Sequence, residues 1–435
     1  MYGRVTHRAG AADEVSNPYT GGPQSKDGTN WNEVVAVLYT ASFEEIRSGE
    51  VTDVYFTRAK QILLDQDASK QVVAEFHCSS LPGGWRWGIL AGIEEVAATL
   101  EGFPIDVHCA PEGSLFLCRE PVMRISGDYA TFAEMETPLL GMLCQASGIA
   151  SRATRVRLAA EDRTVVSFGA RRTHPVIAPM VERSCYLGGC DGVAVVKTAE
   201  MLGIEPSGTM PHSLILIAGD LATALRWYDE SVPDEIPRVA LADTFNDEKF
   251  EALEAAETLG RRLDSVRLDT PGSRRGDWLE LMREVRWELD LRGHTHVKIF
   301  LSGGMDEYTI PECNEFASGY GVGTSLSAAP PVDLAMDIVQ IEGEPIAKRG
   351  KLSGVKNVAV CPGCGDRSVV LEGRNVSDTC TCGERKQMRL RPLIEQGEIV
   401  AGLPSIEEIR SRCRQQLRAF LSANSEVVDF CEVEE

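Results

Sequence analysis

In SVRLDTPGSR (265–274), a strand-like run, Ser265–Leu268, stops at a junction of Asp, Thr, Pro and Gly, and a helical period begins at Asp277. The event recurs from Val165 to Leu326, at SFGARRTHP (167–175), LGGCDG (187–192), GTMPHS (208–213), LADTFND (241–247), RLDTPGSR (267–274), LSGGMDE (301–307) and GVGTSL (321–326). Short apolar runs bounded by turn residues suit buried parallel strands, and the 3.6-period stretches after them suit crossover helices. The pattern predicts an α/β fold of (β/α) barrel type, in which loops after the strands gather on one rim and carry the active site. These loops hold Arg, Asp, His and glycine turns, so an enzyme with its chemistry on that rim is expected.

Outward from a barrel at 129–330, residues 1–30 are rich in Gly, Ser, Asn and Asp and read as a flexible leader. Residues 31–128 mix a helix, Asp53–Leu64, with strand-like Gln71–His77 and Ile105–Cys109, which predicts an α+β domain. Strand-like Met336–Ile341 and the Lys-rich 348–356 are expected to join that domain, as part of about 331–360. Tyr129–Cys144 carries apolar residues on a helical period and links the two, with Pro138 expected to kink or split it. Within the barrel, Glu248–Leu263 and Asp277–Leu291 read as helices and Val297–Leu301 as a strand. A cysteine module at 361–385 and a helical segment at 386–435, with its helix from Ser405 to about Leu421, complete the chain.

With 435 residues and 43% apolar content, the chain has room for two domains and an appendage. No stretch approaches the roughly 18 to 20 uncharged apolar residues of a membrane span. The N-terminus lacks the apolar core of a secretory signal, so a cytoplasmic protein is the expectation. A net charge of −21 argues against nucleic acid as a partner, because phosphate contacts need a basic face. Anionic metabolites remain compatible, since local arginines outweigh a distant, screened field. Arginine outnumbers lysine 34 to 10. Of 13 cysteines, four cluster and the other nine read as small buried hydrophobes.

The cluster Cys361-Pro-Gly-Cys364-Gly and Cys380-Thr-Cys382-Gly predicts a structural zinc, because four thiolates suit a closed tetrahedron. On the rim, Ser302, Gly303 and Gly304 in one turn and Gly323 and Thr324 in another suit phosphate, where glycine lets oxygens approach the backbone. Asp269 suits ribose hydroxyls or magnesium, and Arg267 an anionic group; a structural Arg–Asp pair is the alternative. Phe168 with Arg171 and Arg172 offers a ring face beside guanidinium forks, or else solvated arginines at a helix start. His212 suits a general base, a nucleophile toward phosphoryl groups, or a hydrogen bond in a helix turn. His294 and His296, on the opposite rim, read as structural.

Taken in order, DVYF (53–56), SFGARR (167–172), GGCDG (188–192), GTMPHS, LADTF, RLDTPGS, SGGMDEY (302–308) and GVGTSL resemble the nicotinate phosphoribosyltransferase family of type II phosphoribosyltransferases. The cysteine module resembles the zinc knuckle of a shorter, archaeal-type subset. The resemblance implies joining of nicotinate to phosphoribosyl pyrophosphate in NAD salvage, with magnesium, ATP as co-substrate and a head-to-tail homodimer. It implies that Phe168 stacks on the pyridine ring, with Tyr55 arriving from the partner subunit and Asp191 beside the ring. It places Arg171 and Arg267 near carboxylate or phosphates, Asp269 on ribose hydroxyls, the two glycine turns on the 5′-phosphate, and a phosphorylated histidine at His212. Arg58, Lys348 and Lys351 are candidates for pyrophosphate. Quinolinate or nicotinamide specificity, or a catalytically inactive metal-containing binding protein, are the competing readings.

Overall fold

Val165, Val166, Ala240, Leu241, Val266, Leu268, Ile299, Leu301, Tyr320 and Val322 are all buried, as strands covered on both faces require. In the computed structural model, which describes residues 38–374 and 379–423, they belong to a six-stranded parallel sheet. Its spatial order is Gly192–Val193, Thr164–Ser167, Ala317–Val322, Lys298–Ser302, Leu263–Leu268 and Arg238–Leu241. The first of these strands in the chain pairs with the last, with Ser167 opposite Val322, so the sheet curls into a barrel. Among the described residues, one seam carries no ladder, between Gly192–Val193 and Arg238–Leu241. The expected α/β barrel is therefore present, open along one side.

The junctions beginning at 167, 241, 267, 301 and 321 leave the C-terminal ends of these strands. LGGCDG does not. Its apolar run, Cys185–Leu187, is the end of helix Ala178–Gly188, and Gly189, with φ of 122°, turns the chain into Gly192–Val193. This junction lies at the opposite end of the strands. GTMPHS also follows a helix, Val196–Leu202, through an extended segment in which the Ser207 N–H donates to the Val193 carbonyl at 2.8 Å.

The linking helix is split, but ahead of Pro138. Tyr129–Phe132 is one helical turn, Ala133–Met135 is 3-10, and Glu136–Ala159 is a 24-residue helix with Pro138 in its first turn. Amide groups there have no intrahelical acceptor, so proline costs no hydrogen bond. Helix Glu248–Leu259 is shorter than its apolar period, because Gly260 ends it and Leu263 already begins a strand.

Outside the barrel runs a seven-stranded antiparallel sheet ordered Glu344–Pro345, Leu334–Ile341, Gln71–Cys78, Met123–Asp128, Asp106–Cys109, Arg391–Glu395 and Glu398–Ile399. The Lys-rich segment expected as a strand is a loop up to Val355, with the strand starting at Lys356. Its lysines serve ion pairs: Lys348 and Lys351 hold the buried Asp337 carboxylate at 2.6 and 3.0 Å. Strands Lys356–Val360, Arg367–Leu371 and Gln387–Met388 form the small sheet of the cysteine module. Helix Ile406–Ala423 packs Ile409, Cys413, Leu417 and Phe420 against Trp87, Ile89 and Leu115. Among the described residues, no helix is long and apolar enough to cross a membrane. The leader expected at 1–30 and Cys431 lie outside the described residues.

Candidate active site at the barrel rim

The rim is organised by Arg267, the last residue but one of strand Leu263–Leu268. Its Nη2 pairs with Asp269 Oδ2 at 2.9 Å, its Nε donates to Ser302 Oγ at 2.8 Å, and its Nη1 donates to Thr209 Oγ1 at 2.8 Å. Ser302 Oγ in turn donates to Asp269 Oδ1 at 2.7 Å. Both ends of the Arg–Asp pair are largely buried, 13% and 16% exposed. The structural pair weighed from the sequence thus exists, but it faces a cavity instead of capping a helix.

The same guanidinium lies 5.3 Å from the centre of the Phe168 ring. Phe168 is pinned by its N–H to the Val322 carbonyl at 2.8 Å, and its ring lies over Gly321. A Cβ at 321 would sit 2.3 Å from two ring carbons, well inside contact distance. The first glycine of GVGTSL therefore seats the aromatic ring, a role its sequence context did not disclose.

Phe168, Arg171, Arg172, Arg267, Asp269 and the two glycine turns line one cavity of about 360 Å³. Gly303 and Gly304 have φ of 87° and 83°, conformations that side-chain-bearing residues rarely adopt. Arg171 and Arg172 are exposed and have no carboxylate partner among the described residues. The turn is anchored from behind, where Arg152 of the long helix pairs with Glu307, itself 1% exposed. Trp85 lies 5.1 Å from Arg152. Neither Arg152 nor Glu307 stands out in the sequence, because their pairing spans 155 residues.

His212 opens a helix, and its Nε2 lies 3.0 Å from Asp243 Oδ1. The histidine is 42% exposed and the aspartate 4%. Burial raises the Asp243 carboxyl above its ordinary range, the His212 contact opposes this, and Asp269 reinforces it. Asp243 belongs to LADTF, and its position two residues beyond strand Arg238–Leu241 is the signal that marks it.

Two expected members stand elsewhere. Asp191 precedes its strand; its Oδ2 accepts from Arg157 at 2.7 Å and from the Val165 N–H at 2.9 Å. That carboxylate lies toward the N-terminal ends of the strands and does not line the cavity, because LGGCDG leaves a helix and not a strand. Tyr55 is 58% exposed near the start of helix Val54–Asp65 and donates to Asp53 Oδ2 at 3.2 Å, away from its own chain's cavity. His296 approaches the Gly260 carbonyl at 3.3 Å, in keeping with a structural role.

The sulfurs of Cys361, Cys364, Cys380 and Cys382 all lie within 4.8 Å of one another. The closest pairs are 3.4 and 3.5 Å apart. A tetrahedral ion with bonds of about 2.3 Å would separate thiolates by roughly 3.8 Å, so the four residues fit one ion. Cys78, Cys109, Cys185, Cys190 and Cys413 are buried apart from this cluster.

Residues 53–147 match the family described as quinolinate phosphoribosyl transferase, N-terminal domain, and residues 149–337 match its C-terminal domain. A nicotinate phosphoribosyltransferase of Mycobacterium tuberculosis is 30% identical over 402 residues, spanning 84% of this chain and 82% of its own. The chain belongs to the nicotinate phosphoribosyltransferase family. Among solved structures, nicotinate-nucleotide pyrophosphorylase from Pyrococcus furiosus is 50% identical with a TM-score of 0.86, covering 88% of this chain and 98% of that one. Human nicotinic acid phosphoribosyltransferase shares the fold, with a TM-score of 0.71 at 19% identity, over 85% and 94% of the two chains. Within the nicotinate phosphoribosyltransferase family, then, this chain carries its rim cavity and a separate four-cysteine cluster.

Proposed function

We propose that the protein joins nicotinate to phosphoribosyl pyrophosphate, releasing nicotinate mononucleotide and pyrophosphate, with ATP hydrolysis coupled through His212. The observation that carries this reading is a single cavity. An aromatic face, unpaired guanidinium forks, a carboxylate–serine pair and two glycine turns open into it together.

In this reading Phe168 stacks on the pyridine ring and Arg171 receives its carboxylate. Asp269 and Ser302 take ribose hydroxyls, and the turns at Gly303-Gly304 and Gly323-Thr324 take phosphate through backbone N–H groups. The ring nitrogen attacks the anomeric carbon as the bond to pyrophosphate breaks, so no proton is removed and no strong base is needed. The developing oxocarbenium charge calls for fixed dipoles, a held leaving group and excluded water. Magnesium enters with the diphosphate, and zinc in the cysteine cluster has a structural role.

Asp243 holds Nε2 of His212, which leaves Nδ1 as the nucleophile toward the terminal phosphoryl group of ATP. Replacing His212 by Ala should abolish stimulation by ATP while slow basal turnover persists. Full ATP coupling in that variant would refute the phosphohistidine. Removing the Phe168 ring (Phe168→Ala) should weaken nicotinate binding by roughly 1 to 3 kcal/mol through lost stacking and burial. An unchanged nicotinate constant would count against the ring clamp.

Tyr55 is exposed, as are Val54, Ile62 and Leu64 on the same helix. This supports the reading in which a homodimer covers that helix and Tyr55 completes the neighbouring rim. The deciding assay supplies purified protein with phosphoribosyl pyrophosphate and nicotinate, nicotinamide or quinolinate in turn. Mononucleotide from nicotinate is the expected product, and none from any of the three would overturn the assignment.

A further inference from the structure

A second cavity, about 270 Å³, lies where the cysteine module, the turn at Pro111–Ser114 and helix Ile406–Ala423 meet. Four arginines line it: Arg367, Arg389, Arg391 and Arg412. Only one is neutralised, with Arg367 Nε paired to Glu120 Oε1 at 2.6 Å. Arg389 is 8% exposed, and among the described residues its side chain has no carboxylate within 4.0 Å and one hydrogen bond, to the Leu115 carbonyl. Arg391 donates to the Gln387 side chain at 3.2 Å, and Arg412 donates to the Glu112 main-chain carbonyl at 2.6 Å. Neither has a carboxylate partner among the described residues.

Three guanidinium groups without an ion pair within 4.0 Å among the described residues thus converge on one cavity. Burial, then the nearby Arg367, holds the Arg389 guanidinium down to about 9, with the more distant Glu120 only partly opposing them. Burial lowers that of Arg412 as well; Glu408 and Glu112 oppose this, and Arg391 adds to it. A buried charge such as that of Arg389 is costly without a close partner, and arginine clusters are the usual receptors for phosphoryl oxygens. A single carboxylate would leave most of the charge unmatched, whereas a diphosphate brings several negative charges within this volume. Gln416 adds an amide: its Oε1 accepts from the Leu115 N–H at 3.0 Å, and its Nε2 is left without a partner among the described residues.

We propose that this cavity is a second anion site, separate from the rim, that takes a small di- or oligophosphate. Its ligand bridges the cysteine module and the C-terminal helix. Cys361 and Pro362 line the same cavity as Phe420, so an occupant restrains the hairpin that carries the first two thiolates.

The test is titration calorimetry of inorganic pyrophosphate into the metal-loaded full chain, comparing wild type with the Arg391→Glu/Arg412→Glu double variant. Both arginines are at least partly exposed, and neither belongs to the rim. The expected result is a wild-type site whose affinity falls by about 100-fold in the variant, the scale of reversing a charge against a buried partner. Any rim binding, and turnover with it, persists. A crystal of the wild type soaked in tungstate should show a tungsten peak between Arg389 and Arg412. Wild-type protein without such binding, a variant that keeps all of it, or a soaked cavity without tungsten would each overturn the proposal.

Discussion

Asp269→Ala should lose about 10²- to 10³-fold in kcat/KM, the scale seen when one preorganised polar group is deleted from a reacting site. The loss has two sources. The carboxylate proposed for the ribose hydroxyls disappears, and Arg267, only 13% exposed, loses its counter-charge. Breaking a buried pair from one side is commonly worth about 3 to 5 kcal/mol of stability. Arg267 keeps its bonds to Ser302 and Thr209, so the expected cost is at the lower end. Asp269→Asn separates the two effects, because the amide oxygen can still accept from Ser302 while the charge is absent. Steady-state kinetics of both variants, with a melting temperature for each, measure the split. If Asp269→Ala turned over like wild type, the proposed ribose role would fall.

Removing the metal proposed for the cysteine cluster, by chelation or by Cys364→Ser, should destabilise regions well outside the module. Strand Lys356–Val360 carries Lys356, whose Nζ lies 3.0 Å from Glu75 Oε2 and whose N–H donates to Glu75 Oε1 at 2.5 Å. Glu75 is fully buried in strand Gln71–Cys78. Burial pushes its carboxyl up, and Lys356 is the chief group opposing that shift. Arg367 adds a pair to Glu120, and Glu372 a pair to Arg124 at 2.8 Å. Loosening the module strands these buried groups, and about 3 to 5 kcal/mol is expected for one buried pair broken from one side. Metal analysis should find about one zinc per chain. A zinc-free protein with an unchanged melting temperature would reject the structural role.

The parallel strands were legible because branched apolar residues followed by Gly, Asp or Pro have few other solutions. Where reading failed, the cause was local ambiguity. Cys185–Leu187 before two glycines looks like a strand end, yet it is a helix end, since a three-residue apolar run carries no period. That single difference moves Asp191 away from the rim. Pro138 signals a break, but only the helix boundary at Glu136 shows that it starts a helix instead of interrupting one. Asp243 and the Arg152–Glu307 anchor depend on contacts between distant segments, which no local pattern encodes. Gly321 was visible as a glycine; that its missing Cβ makes room for Phe168 needed the neighbouring strand.

Helix Glu136–Ala159 places Leu139 and Leu143 in the core of the antiparallel sheet. Further along, Ala146 and Ala150 pack with the C-terminal helix, and Ile149, Ala153, Val156 and Ala159 enter the barrel core. The boundary between the two matched family segments falls inside it, between 147 and 149. A boundary drawn in sequence is therefore not a place where the chain can come apart. Calorimetry of the intact protein should register one cooperative transition across both cores, because neither can melt while the column they share stays helical.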